Sequence, residues 1–484
     1  MPTWVRLRTE LPLFDLSRRP ARPAQAWLAR QLYSLLLRLG TPLYLWRVWS
    51  RGRQEPDYRA DWPARLGFNR TPVTCGAGPL VWVHAVSLGE ARAAAPLVRA
   101  LRQACPGMRL LLTHTTATGR EAGRALLEEG DLQTWLPWDT PGSVRRFLRH
   151  FQPDVGVLME TEVWPNLLHI ASRQGLPVAL ANARLSDKSL RQGRRFSALL
   201  RPAAQALSAC LAQTEADAVR LEAMGASAVQ VCGNVKFDMT PQESLLALGR
   251  AWRQASQRPL ILAASTREGE EALLLEAWCA RPQADVDADV DADGEAAAGV
   301  PRLVLVPRHP QRFDEVAELV SRAGLTLSRR STWPQNQPDA QALEADVWLG
   351  DSMGEMPAYY AACKVAMLGG SFANLGGQNL IEAAACACPV VMGPSTFNFA
   401  EAAELSEAAG AAFRVADASE GVQRACALCV SGADQAAVAA LGFAAAHRGA
   451  ARRAAAAITG LLRGRFAGFP SGLTRQPHKR GITN

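Results

Sequence analysis

One alternation, made twice, limits what this chain can fold into. After residue 78, short apolar runs take turns with helical stretches: LVWVHAV (80–86), RLLLTHT (109–115), VGVLME (155–160), PVALANA (177–183), ACLAQT (209–214) and VQVCGNV (229–235). The runs have the length of buried strands, and stretches such as EADAVRLEAMGA (215–226) are long enough to cross back over a sheet. Strands apolar along their length and joined by helices belong to a parallel sheet covered on both faces. The grammar restarts at RPLILAAST (258–266) and continues through RLVLVPRH (302–309), GLTLSRR (324–330), ADVWLGD (345–351), KVAMLGGS (364–371), CPVVMGPS (388–395) and AAFRVAD (411–417). A polar, Pro-containing stretch at 236–257 separates the two series. The expected fold is α/β, with two doubly wound Rossmann-like domains facing a cleft, and 484 residues suit two cores better than one. The expected divisions are a basic extension and helix (1–54), a first domain (55–240), a second (241–470) and a tail (471–484).

Charge is concentrated at one end. Residues 1–70 hold thirteen Arg against Glu10, Asp15, Glu55, Asp57 and Asp61, which is the whole net charge of +8. A chain whose remainder is neutral is not basic all over, so no nucleic-acid partner is expected. Within the basic segment, AWLARQLYSLLLRLGTPLYLWRVW (26–49) is rich in Leu and Trp but interrupted by Arg30, Arg38, Gly40, Pro42 and Arg47. An Arg at the centre of a spanning helix costs roughly 2.5–3.5 kcal/mol, which makes this a poor span. Two readings stay open: a helix in the interface of an anionic membrane, or an amphipathic helix packed on the protein. Under the first, a chain starting near Arg51 should lose activity mainly on membrane-embedded substrate. The acidic stretch DADVDADVDADGEAAAGV (283–300) lacks the Glu a calcium loop requires and reads as a solvated insertion. The cysteine pairs Cys386/Cys388 and Cys426/Cys429 lack a second ligand pair, so they read as buried thiols, and no metal site is expected.

The ends of the apolar runs carry the chemistry. HAVSLGE places Glu90 at a strand-to-helix turn, the rim where ligands bind in such sheets. Ser87 followed by Glu90 is also a capping box, and that reading stays open. VLMETEVWPN ends a second strand with Glu160 and Glu162, and NARLSDKSLRQGRR (182–195) follows a third with Arg184 and further cations. CGNVKFD puts Lys236 after the last strand of the series. A candidate base among cations suits the activation of a hydroxyl on an anionic acceptor, although the Arg run is equally a solvated helix face. In the second series, LVLVPRHPQRF ends with Arg308 and His309, and VAMLGGSFANLGGQNLIEAAA ends in two Gly pairs before a helix carrying Glu382. Exposed amides at such a turn would seat a phosphate, and Glu382 could bind ribose hydroxyls.

In order, HAVSLGE, ETEVWPN, NARLSDKS, GNVKFD, ASTREGEE, PRHPQRF, DSMGEM and GGSFANLGGQNLIEAAA closely resemble the Kdo (3-deoxy-D-manno-octulosonic acid) transferases of lipopolysaccharide biosynthesis. The resemblance covers residues from about 55 to about 415. It implies a GT-B glycosyltransferase that moves Kdo from CMP-Kdo to a lipid A precursor at the cytoplasmic face of the inner membrane. CMP-Kdo is then a substrate, and no cofactor is implied. By position, the general base falls on Glu90, and acceptor or transition-state contacts fall on Glu160, Glu162, Arg184 and Lys236. Donor contacts fall on Ser265, Arg308, His309, Gly354, Gly370, Ser371, Gly376, Gly377, Asn379 and Glu382. Arg267 and Gln378 stand where the family usually has His, so neither can act as a neutral imidazole. Two other readings accompany this one: a different GT-B sugar transferase, or a non-catalytic protein that binds a lipid surface.

Overall fold

The computed structural model describes residues 23–73, 78–281 and 300–467. The tail 471–484 and nearly all of the acidic stretch 283–300 lie outside the described residues. The chain forms two compact units, one of residues up to Cys232 together with those from Ala454, the other of Gly233–Arg453.

The first unit holds a sheet of seven parallel strands: β1 (Leu80–His84), β2 (Arg109–His114), β3 (Leu132–Trp135), β4 (Val155–Met159), β5 (Val178–Ala183), β6 (Ala209–Ala212) and β7 (Val229–Val231), in the order β3-β2-β1-β4-β5-β6-β7. Six of these match the apolar runs. The seventh, β3, lies outside them, because LQTW has two polar residues at its centre and is only four residues long. It forms one edge of the sheet, and Thr134 Oγ1 is satisfied by Asn69 Oδ1 at 2.8 Å. Leu80, Trp82, Leu111, Phe147, Leu158 and Leu180 build one core of this unit. The Trp82 indole N–H is satisfied by Thr113 Oγ1 at 2.8 Å.

The second unit holds β8 (Leu260–Thr266), β9 (Arg302–Pro307), β10 (Leu327–Arg329), β11 (Val347–Leu349), β12 (Val365–Leu368), β13 (Val390–Met392) and β14 (Ala412–Arg414), all parallel, in the order β10-β11-β9-β8-β12-β13-β14. Burial on both faces follows the period of two. Leu260, Leu262 and Ala264 join a core with Trp252, Trp348 and Tyr359, while Ile261 and Ala263 join the opposite core with Leu303, Leu305 and Val347. Each sheet therefore needs helices on both sides, as the continuous apolar runs required.

The units part earlier than residue 240. Phe237 packs edge-on to Phe443 at 5.4 Å between ring centroids, which draws Lys236 and its neighbours into the second unit. Helix Ala450–Ala467 begins in the second unit and ends in the first, where Arg465 donates to the Asp154 carbonyl at 3.0 Å.

An N-terminal helix, Pro23–Arg51, lies on the first unit. Tyr44 stacks on Trp138 with centroids 4.0 Å apart, and Ser34 and Val48 are buried. Its other side leaves Leu28, Leu32, Leu36, Leu39, Leu43 and Trp46 exposed, Leu39 at 70% and Trp46 at 66%. Among the described residues no single helix is long and apolar enough to cross a membrane.

Candidate active site

In the first sheet, β1 lies between β2 and β4, so the strand order reverses there. Crevices at such reversals, beyond the carboxyl ends of the strands, are where doubly wound sheets bind ligands. The ends of β1 and β4 lead directly to Glu90 and to Glu160 and Glu162.

Glu90 sits in the first turn of helix Leu88–Ala104 and is half-buried. Its Oε2 accepts the Val86 amide at 2.8 Å, while Ser87 Oγ accepts the Glu90 amide at 3.4 Å. This is a capping box displaced by one residue, since the side chain takes the amide preceding the cap rather than the cap's own. The capping role is therefore real and coexists with any chemical one. Burial foremost, and then the nearby charges of Glu160 and Glu162, push the Glu90 carboxyl up to about 7 against the opposing hydrogen bonds from Val86 and Ser87. A carboxyl near neutrality is poised to take a proton at working pH.

Glu160 follows β4 with a left-handed backbone, φ 55°, and its amide donates to the Ala181 carbonyl at 2.9 Å. Its carboxylate pairs with Arg184 at 3.1 Å. Glu162 accepts the Trp164 indole N–H at 2.8 Å, and burial foremost, with Glu160 adding, raises its pKa. His84, not singled out from the sequence, closes the group: its Nε2 lies 3.8 Å from Glu162 Oε2. Burial holds the His84 pKa down to about 3, so the ring is neutral, and its Nδ1 lies 3.0 Å from the Thr113 carbonyl. The available signal was a His at the inner end of an otherwise apolar strand. The first unit thus gathers Glu90, Glu160, Glu162, Arg184 and His84. Lys236 belongs by its contacts to the second unit, where its Nζ lies 5.6 Å from the Phe399 ring centroid.

The second sheet reverses at β8, which lies between β9 and β12. Ser265 near the end of β8 has φ 56°, within a register irregularity between Ala264 and Thr266. Residue 369 must be Gly here, because a Cβ would lie 2.3 Å from the Ser265 carbonyl oxygen. Glu270 is wholly buried between the two strand ends. Its Oε2 accepts the amides of Arg267 at 2.9 Å and Gly370 at 2.7 Å; its Oε1 accepts those of Phe372 at 3.0 Å and Ala373 at 3.1 Å.

That arrangement changes how a phosphate seat can be built. Besides the amides held by Glu270, the Gly376 amide donates to Ser395 Oγ at 3.0 Å and the Gly377 amide to the Gly370 carbonyl at 2.9 Å. Ser371 is fully buried; its hydroxyl donates to the Leu368 carbonyl and accepts the Gly393 amide. Asn379 Oδ1 accepts the Ile381 amide at 3.2 Å, capping a helix of only six residues, Leu380–Ala385. The amides of Gly370, Gly376 and Gly377 are thus engaged within the protein, because a sharp glycine turn must satisfy its own buried N–H groups. Gly354, φ 82°, lies in a loop braced by Ser352, whose hydroxyl is 2.6 Å from Glu355 and 2.7 Å from the Tyr359 hydroxyl. The same unit also presents cationic side chains at the strand ends. His309 is exposed and Arg308 half-buried. Burial and then the charges of Arg267, Arg308 and Arg312 lower the His309 pKa, which marks a cationic rim.

Comparison with known proteins gives the family of the chain. The family model described as 3-Deoxy-D-manno-octulosonic-acid transferase (kdotransferase) matches residues 60–239. The 3-deoxy-D-manno-octulosonic acid transferase of Bordetella pertussis is 48% identical over 435 residues, covering 88% of this chain and 98% of that protein. The enzyme of the same name from Haemophilus influenzae is 34% identical over 380 residues, 77% of this chain and 84% of that protein. The UDP-GlcNAc 2-epimerase of Neisseria meningitidis, 16% identical, covers 80% of this chain and 100% of its own with a TM-score of 0.50, a likeness of fold alone. The chain therefore belongs to the 3-deoxy-D-manno-octulosonic acid transferase family and is a Kdo-transferring enzyme of the α/β GT-B class.

Proposed function

We propose that this enzyme transfers Kdo from CMP-Kdo to a lipid A precursor, with Glu90 as the general base. As the acceptor hydroxyl oxygen bonds to the anomeric carbon of Kdo, its proton passes to the Glu90 carboxylate. The bond from that carbon to the CMP phosphate oxygen breaks, and CMP leaves with the electron pair on the opposite face, so configuration inverts. A positioned carboxylate in this role contributes typically about 10²–10⁴-fold. The observation that carries the reading is the cluster of Glu90, Glu160 and Glu162 at the strand-order reversal, with Glu90 raised to about 7. Glu160 with Arg184, and Glu162, would hold the acceptor. Arg308 and His309 in their cationic setting, with Lys236, would stabilise the departing phosphate, the electrostatic role that usually dominates. The reading calls on no cofactor.

The acceptor is a membrane lipid, and the Leu/Trp face of Pro23–Arg51 supports a location in the cytoplasmic interface of the inner membrane. Exposed apolar patches of this size on a folded surface mark interaction sites, and Arg near an anionic surface adds about 1 kcal/mol each. The decisive assay combines purified protein, CMP-Kdo and tetraacylated lipid A precursor, with products resolved by mass. A Kdo-bearing lipid that disappears with Glu90→Gln is expected. Absence of that product, or near-normal turnover of Glu90→Gln, overturns the reading.

A further inference from the structure

A buried polar seam joins the N-terminal helix to the segment that carries Glu162. Asp139, only 1% exposed, follows the edge strand β3. Its Oδ2 accepts the Tyr33 hydroxyl at 3.0 Å and the Asn166 amide at 3.1 Å; its Oδ1 accepts the Leu167 amide at 2.8 Å. The Asp139 carbonyl accepts Asn166 Nδ2 at 2.7 Å, and Asn166 Oδ1 lies 3.0 Å from the buried Ser34 hydroxyl. Next to it, the Trp138 indole N–H donates to the Leu37 carbonyl at 3.2 Å. The dipeptide Trp138–Asp139 therefore grips the N-terminal helix at Tyr33, Leu37 and Tyr44.

Asn166 and Leu167 open helix Pro165–Arg173, whose preceding residue, Trp164, makes no side-chain cap bond. Asp139 supplies that missing cap from elsewhere in the chain, satisfying two of the N–H groups a helix start leaves open. Trp164 in turn donates to Glu162. The loop from Glu160 to Trp164 is thus held by β4 at one end and by Asp139, through the helix start, at the other.

We propose that Asp139 is a positioning residue of the transferase: it fixes the Glu160–Trp164 loop, and Tyr33 makes that fix depend on the N-terminal helix. The inference rests on the proposed role of the Glu90, Glu160 and Glu162 cluster. It means that the helix is a working part of the acceptor unit as well as a membrane contact. A chain starting near Arg51 would lose Tyr33 and Ser34 and leave Asp139 and Asn166 short of partners, so its activity should fall on detergent-dispersed acceptor too.

The test uses full-length Tyr33→Phe and Asp139→Asn with CMP-Kdo and lipid A precursor in detergent. Tyr33→Phe deletes one hydroxyl and leaves the exposed Leu/Trp face intact. Both variants should bind CMP as wild type does. Their kcat should fall about tenfold or more, the scale on which small displacements act. The second readout is the acid limb of the pH–rate profile. The groups facing Glu90 are the Val86 amide, the Ser87 hydroxyl and the carboxylates of Glu160 and Glu162. A displaced Glu162 would relieve Glu90, and the limb should move to lower pH, which mere loss of folded enzyme would not produce. If Asp139→Asn fails to fold, Tyr33→Phe decides alone. Wild-type kcat and an unmoved limb in folded Tyr33→Phe overturn the inference. Turnover that survives Glu90→Gln overturns the underlying reading instead, whatever the seam variants do.

Discussion

The carboxylate of Glu270 accepts the amide of Gly370 at 2.7 Å, tying the end of β8 to the end of β12 from a wholly buried position. With three more amides on the same carboxylate, Glu270 gives the glycine turn its shape. Glu270→Gln would turn one acceptor oxygen into an NH₂ facing amide donors, leaving buried N–H groups unsatisfied. Each lost bond to a charged group is worth about 1.5–3 kcal/mol of folding stability, so the turn should loosen and CMP affinity should fall about tenfold or more. Calorimetry with CMP measures this, and unchanged affinity would show that the turn does not shape the donor site.

Glu90 titrates near neutrality in the folded protein. The base must be ionised, so kcat/KM should rise with pH through about 7 and level off above it. Its folded pKa lies above the unfolded value of 4.5, so the native state binds the extra proton between those values. Its contribution to stability therefore falls as pH rises from about 4.5 to about 7. Glu90→Gln should remove the acid limb of any residual activity and make this part of the stability profile less steep, with Asp139, which burial also raises to about 7, supplying much of the remaining slope. Chemical denaturation across that range measures the second effect.

Arg308→Ala should weaken CMP-Kdo binding about tenfold to a hundredfold, as a charge-assisted contact to phosphate is lost. Arg308→Lys should recover only part of this, because an ammonium cannot reproduce a paired guanidinium contact. Equal affinity of all three proteins for CMP and CMP-Kdo would place the donor elsewhere.

The exposed Leu/Trp face predicts vesicle binding. Full-length protein should float with anionic vesicles at low salt, and Leu36→Glu with Leu43→Glu should abolish flotation without unfolding the protein, because both side chains already face solvent. Retention after a high-salt wash would show that apolar insertion outweighs the charge term. Equal flotation of the double variant would return this face to a purely structural role.

Much of the architecture was legible in the sequence. Thirteen of the fourteen strands of the two sheets lie within the apolar runs; the central ones are buried on both faces and so apolar along their length. Strand β3 is not legible because LQTW is short and two of its four residues are polar. In the rim cluster of the first unit, Glu90, Glu160, Glu162 and Arg184 are legible as polar residues at the ends of apolar runs. His84 lies in the same run as Glu90, but its proximity to Glu162 depends on β1 and β4 lying side by side.

The sequence by itself determined thirteen of the fourteen strands of the two sheets, their parallel pairing and most of the rim residues, because helix and strand periods and the rule of ligands at strand ends depend on local pattern. Tertiary structure decided what those residues are free to do. The amides of Gly370, Gly376 and Gly377 look exposed in a glycine-rich string, but buried N–H groups must find partners, and Glu270, Ser395 and the Gly370 carbonyl supply them. Ser371 looks like a ligand contact and is sealed beneath its turn. The N-terminal helix looks like a detachable anchor, yet Tyr33 reaches Asp139 across 106 residues of chain. No local pattern encodes such a pairing; it arises only when packing excludes water and each buried polar group must be matched.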